Sequence, residues 1–149
     1  MSDARVEAGD RGDLLRVLNP RPGYFDSWLV EPGPPAILTE HGILLIYNAG
    51  NSGVYGDPAY GHRMYTGGQA LYDRENPMRL IGRTDEPFIW PEMPYEKTGQ
   101  YPEGTTFLEG MVPFQGKWFL YYGTADSRVA VVVWDPDRPA LPSFQDGLP

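Results

Sequence analysis

The sequence predicts an all-β fold of consecutive antiparallel sheets of the β-propeller type, and three observations carry that reading. Glycine (18) and proline (16) punctuate the chain too densely for long helices. Short apolar runs bounded by turn residues recur, while no window has the apolar spacing of an amphipathic helix. A strand–turn–strand block, Ala36 to Tyr47, returns in pattern from Met111 to Tyr121, with Gly42 and Gly116 74 residues apart. Repetition of a sheet unit marks propeller blades, and two long loops explain a spacing above the roughly 40–50 residues of compact ones.

Residues 1–13 are polar and mixed in charge and read as a flexible tail; the blades run from 14 to 135. Leu14, Leu15, Val17 and Leu18 form an apolar run, read as a strand, that ends at Asn19-Pro20-Arg21-Pro22-Gly23. Gly33 to Thr39 and Ile43 to Asn48 flank a Glu40-His41-Gly42 turn and make a hairpin. Its second strand is apolar on both faces, which predicts burial between layers. A polar loop over 51–64 leads to strands Met64–Tyr72 and Arg79–Thr84, joined by the turn-prone Asp73-Arg74-Glu75-Asn76-Pro77. The connection Asp85 to Thr105 is rich in proline and glutamate. The pattern then restarts with Phe107–Phe114, a Gln115-Gly116 turn, Lys117–Tyr122 and Arg128–Trp134. Residues 136–149 read as an irregular tail. The expected core is Ile37, Leu44, Ile46, Tyr47, Leu71, Val112, Trp118, Leu120, Tyr122, Val131 and Val133.

A net charge of −8 with no basic cluster argues against nucleic acid and anionic membrane as partners. No cysteine is present, and His41 and His62 have no third ligand nearby, so neither a metal site nor a cofactor is expected. The N-terminus lacks an apolar leader and no stretch nears the roughly 18 apolar residues of a membrane span, so the expected location is cytoplasmic. Ten tyrosines and four tryptophans suit half-buried strands, and aromatic faces also stack on pyranose rings.

Six segments then occur in a telling order: Trp28-Leu29-Val30-Glu31-Pro32-Gly33-Pro34-Pro35, Ile46-Tyr47-Asn48, Tyr65-Thr66-Gly67-Gly68-Gln69-Ala70-Leu71-Tyr72-Asp73, Arg83-Thr84-Asp85-Glu86-Pro87-Phe88, Tyr95-Glu96-Lys97-Thr98-Gly99 and Tyr121-Tyr122-Gly123-Thr124-Ala125-Asp126. Together they cover most of residues 24–135, and the chain resembles the C-terminal half of glycoside hydrolase family 130. The resemblance implies a five-bladed propeller with an axial sugar site for β-linked mannoside oligosaccharides, cleaved with phosphate by phosphorylases or with water by hydrolases. Phosphorylases of the family carry His after the second-strand Tyr and Arg after the third-strand Tyr. Asn48 and Thr66 stand there and cannot hold a phosphate dianion by charge, while Lys97 and Lys117 read as solvated.

Hydrolysis is therefore the expected reaction, with phosphorolysis (a glycosyltransferase activity) and non-catalytic carbohydrate binding as alternatives. An inverting hydrolase needs an acid and a water-activating carboxylate about 6.5–9.5 Å apart. The catalytic candidates are Glu31, beside Trp28, Leu29 and Val30, and Glu109, which interrupts the run Phe107-Leu108…Met111-Val112. Either also fits a plain surface carboxylate. Asn48, Tyr65, Tyr122 and Asp126 are the substrate-binding candidates, Asp126 serving equally well as a turn cap. The family's general acid, an aspartate of the N-terminal half, maps to no residue here, so the site is expected to be incomplete without the N-terminal blades.

A propeller sheet packs on two neighbours, so uncovered apolar faces and open strand edges are expected at both flanks. The prediction is self-association, or a second chain that completes the propeller. Light scattering on the purified chain checks this, and a stable monomer with a cooperative unfolding transition counts against it.

Overall fold

The computed structural model describes residue 12 and residues 14–138. Eight strands form two antiparallel sheets, and no α-helix occurs among the described residues. The first sheet contains β1 (Leu29–Pro32), β2 (Ile37–Thr39), β3 (Gly42–Gly50), β4 (Tyr65–Tyr72) and β5 (Leu80–Arg83). The second contains β6 (Thr106–Phe114), β7 (Lys117–Thr124) and β8 (Arg128–Trp134), in that order. β1 and β2 share one edge of β3, β1 pairing with Tyr47–Gly50 and β2 with Gly42–Leu44. They are one strand interrupted at Gly33-Pro34-Pro35-Ala36, where two successive prolines lack the N–H a ladder needs.

The hairpins and the last three strands lie where the turn residues put them. Three expectations are corrected. The first hairpin strand holds only Ile37–Thr39 of the expected Gly33–Thr39. Leu14 to Leu18 is not a strand: Leu14 makes only an isolated bridge, and Leu18 packs against the Phe25–Tyr47 cluster. The repeat is also offset by one residue. Thr39 pairs with Gly42 around Glu40-His41, and Phe114 pairs with Lys117 around Gln115-Gly116. Gly116 is thus a turn residue while Gly42 is already in the strand. Gln115 and Gly116 have φ of 49° and 76°, as a two-residue primed hairpin turn requires. Counted from the turns, Tyr47 corresponds to Tyr122 and not to Tyr121. Tyr47 and Tyr122 are buried, and Tyr121 is 43% exposed.

Alternation along β3 explains why its two apolar faces are both covered. Tyr47 and Ala49 face a core with Phe25, Ala70 and Tyr72, whereas Ile46 faces the second sheet and packs with Leu108, Leu120 and Tyr122. The ring of Tyr47 lies on Gly68, where a Cβ would come within 2.2 Å of it. Ile46, Tyr47, Leu120 and Tyr122 are buried as expected, and Ile37, Leu44, Leu71 and Trp118 are half-buried. Val112, Val131 and Val133 are exposed instead. Their cross-strand pairings place them on one face of the second sheet with Phe119 and Tyr121.

Behind the first sheet lies a buried ionic cluster. Asp26, wholly buried, accepts a hydrogen bond from Tyr47 Oη at 2.9 Å and from Arg21 Nη2 at 3.0 Å. Arg83 Nη2 stands 2.7 Å from the same carboxylate as an ionic contact, and Arg83 Nε donates to Tyr47 Oη at 3.0 Å. Removing the carboxylate leaves Arg83 buried without its counter-charge, so Asp26→Ala is expected to cost about 3–5 kcal/mol. Asp85→Ala, which removes an exposed partner of Arg21, should cost no more than about 1 kcal/mol. Urea unfolding of both variants checks the contrast.

Candidate functional site

Two cavities are prominent among the described residues. One, of 550 Å³, runs between the sheets near the hairpin turns and is lined by Ile37, Leu44, Ile46, Trp118 and Leu120 among others, with Gln69 and Thr39 as its polar members. It holds no charged group. The other, of 510 Å³, lies where the start of β6 meets the β7–β8 turn and is lined by Thr105, Phe107, Glu109, Gly123, Asp126, Ser127, Arg128 and Val129. Two carboxylates, a guanidinium, two hydroxyls and an aromatic ring make this second cavity the candidate site.

Local backbone devices set its charged groups. Leu108 pairs with Tyr122 and Gly110 with Tyr121, so Glu109 is an extra residue in a β-bulge. A bulge re-aims the side chain it carries, and Glu109 is exposed at the cavity wall while Leu108 is buried. Ala125 and Asp126 follow each other at φ of 47° and 55°, a left-handed conformation that costs a non-glycine residue and concentrates at functional sites. Ala125 N–H donates to Thr105 O at 3.4 Å, Ser127 N–H to Thr124 O at 3.1 Å, and Gln100 N–H to Asp126 Oδ2 at 3.4 Å.

An aromatic wall backs the cavity. The ring of Tyr65 lies 5.9 Å from Phe107, 5.0 Å from Tyr101 and 6.0 Å from Trp28, and Arg63 sits over Trp28 at 5.1 Å. Desolvation above all, with Tyr101, Glu31 and Asp126 nearby, pushes the Tyr65 phenol up to about 12. It therefore stays a hydrogen-bond donor at neutral pH.

Of the residues singled out in the sequence, Glu109 and Asp126 share this cavity and Tyr65 stands behind it. Glu31 is exposed on β1 opposite Asn48 and lines neither cavity. Asn48 and Tyr122 lie between the sheets with their polar atoms bonded to protein. Asn48 Nδ2 donates to Leu108 O (3.0 Å) and Pro32 O (3.2 Å), and its Oδ1 accepts from Leu108 N–H (2.6 Å). Tyr122 Oη donates to Glu96 Oε1 at 2.7 Å, and burial, followed by Glu96, raises its pKa. Asn48 docks the first blade on the second, and Tyr122 fastens the long connection to β7. Thr105, Phe107, Ser127 and Arg128 escaped the sequence reading, although Ser127 and Arg128 directly follow the Tyr-Gly-Thr-Ala-Asp motif. Among the described residues no group of three His, Asp or Glu gathers as a metal site, and no helix is long and apolar enough to cross a membrane.

The fold is that of consecutive β-propeller blades, with a charged cavity beside the second of them. A family model described as β-1,4-mannooligosaccharide phosphorylase matches residues 1–138, and the chain belongs to glycoside hydrolase family 130. The 1,2-β-oligomannan phosphorylase of Thermoanaerobacter sp. (strain X514) is 32% identical over 121 residues, 81% of this chain and 38% of that relative. The chain thus spans about a third of the length of the curated relatives it matches. A glycosyl hydrolase structure from Bacteroides ovatus is 53% identical with a TM-score of 0.86, covering 90% of this chain and 37% of that one. A structure from work on family members that are hydrolases targeting β-1,2 mannosidic linkages in Candida mannan is 49% identical, with a TM-score of 0.86 and the same coverage. The β-1,2-mannobiose phosphorylase of Listeria innocua, solved with β-1,2-mannobiose, is 30% identical with a TM-score of 0.66, over 79% of this chain and 31% of that one. The two sheets are blades of the family's five-bladed propeller.

Tyr47 and Tyr65 are both pushed up to about 12, chiefly by desolvation. The folded state therefore holds their protons more tightly than the unfolded chain, where a phenol titrates near 10. This contribution to stability is complete below pH of about 10 and is lost as pH rises toward about 12. Phenolate absorbance should show a late class ionising together with unfolding; ordinary titration of every tyrosine before unfolding counts against it.

Proposed function

We propose that the chain forms part of the sugar site of a β-mannoside-cleaving enzyme that uses water rather than phosphate as nucleophile. The carrying observation is the charge of the site. The cavity offers one guanidinium, Arg128, against the carboxylates of Glu109 and Asp126, and outside it Asn48 and Thr66, where phosphorylases of the family carry cations, are neutral and buried. That balance opposes a phosphate dianion. The greater identity to the structure from work on hydrolases (49%) than to the phosphorylase–mannobiose complex (30%) supports the same reading. In it, Glu31 and Glu109 are the carboxylates of the chemistry, while Asp126 bonds a sugar hydroxyl and Tyr65 backs the ring. Phosphorolysis is the second reading, favoured by the phosphorylase names of the curated relatives.

Cleavage of β-1,2- and β-1,4-mannobiose, assayed with and without inorganic phosphate, tests the proposal. Turnover without phosphate is expected once the N-terminal blades that carry the general acid are supplied, with Glu31→Ala lowering it by about 100-fold or more. Strict phosphate dependence overturns the hydrolytic reading, and tight binding without turnover under either condition shows a carbohydrate-binding module.

A further inference from the structure

Three buried threonine hydroxyls, on Thr66, Thr105 and Thr124, find no hydrogen-bond partner among the described residues. A buried hydroxyl left unpaired is worse than the methyl group that could replace it, so each invites a reason. Thr66 pairs with Ala49 on the Phe25 side of the first sheet, and Thr124 pairs with Thr106 within the second; neither lines either of the two cavities described above. Thr105 differs. It is 3% exposed and lines the charged cavity with Phe107, Asp126 and Ser127. Its main chain is fully engaged: its N–H donates to Glu96 O at 2.9 Å, its carbonyl accepts from Ala125 N–H, and it bridges to Tyr65. The backbone is fixed and only the hydroxyl is free.

We propose that Thr105 is a ligand-binding, specificity-determining residue whose hydroxyl, turned into the cavity about Cα–Cβ, bonds a ring hydroxyl of a neutral pyranoside lying on Phe107. This rests on the sugar-site reading above. A hydroxyl both donates and accepts, which matches a sugar hydroxyl in either sense, and staggered rotamers of one side chain interchange without moving the backbone. Two carboxylates against one guanidinium exclude uronates and sugar phosphates and leave neutral sugars. Valine has the same shape and is at least as suited to an extended segment, so packing gives no reason for threonine here.

Thr105→Val, Thr105→Ser and Thr124→Val separate a ligand role from a structural one, read by thermal unfolding and by calorimetry with β-1,2-mannobiose and the methyl glycosides of mannose, glucose and galactose. Thr105→Val should melt at or above the wild-type midpoint while binding about tenfold more weakly, the worth of one hydrogen bond. Thr105→Ser should recover most of the affinity, and Thr124→Val should leave it unchanged. Undiminished binding by Thr105→Val overturns the proposal, as does a lowered midpoint, which would show the hydroxyl bonded within the fold. Thr105-dependent binding of glucoside or galactoside but not mannoside would sink the mannoside reading and leave this one standing. Binding of none of the four by the wild type would sink both.

Discussion

A tyrosine hydroxyl given to a carboxylate shut away from water recurs in both blades, and the arrangement of the molecule follows from it. In the first sheet Tyr47 donates to Asp26, whose charge is balanced by Arg21 and Arg83. That knot ties the segment before β1 to β3 and β5, and Arg21 extends it to Thr84 O. In the second sheet Tyr122 donates to Glu96, and the carboxylate is completed by the backbone N–H groups of Glu92 and Met93 at 2.7 and 2.8 Å. One blade neutralises its buried charge with cations and the other with peptide dipoles. In both cases desolvation is offset by groups already in place, which is the condition for keeping a charge inside a protein. The second knot also fastens the long connection to β7, and so carries Tyr101 to the face of Tyr65.

Strand limits were legible wherever turn chemistry was local. Gln115-Gly116 marks a two-residue turn by itself, and Asp73 announces the β4–β5 turn, its carboxylate accepting from the N–H groups of Glu75 and Asn76. β1 was not legible, because four residues running into prolines carry no period. Glycine matching misled the repeat by one position: Gly42 at φ 139° and Gly116 at φ 76° do different work, and only pairing around the turns aligns the two buried tyrosines. Val112, Val131 and Val133 show the limit of composition, since a strand's apolar content says that a face wants cover and not that cover is present.

The site was legible in its charges and not in its walls. Glu109 breaks an apolar run and Asp126 closes a motif, so each stood out. Thr105 follows a proline- and glutamate-rich loop and has no period around it; its place depends on a bridge to Tyr65, forty residues earlier in the chain. Asn48 drew attention for the charge it lacks. Its amide instead exchanges two hydrogen bonds with the backbone of Leu108, as a neighbouring strand would, and so docks one blade on the next.

The bulge at Glu109 has an implication of its own. Leu108 already faces Tyr122 and Gly110 already faces Tyr121, so a β6 shorter by this single residue would keep every partner and gain a regular ladder. Glu109 is the residue of β6 left without a cross-strand partner, so its direction is set by the bulge and not by the ladder. The acidity of the cavity rim thus rests on a local kink of the strand, and its side chain can be exchanged without disturbing a cross-strand pair.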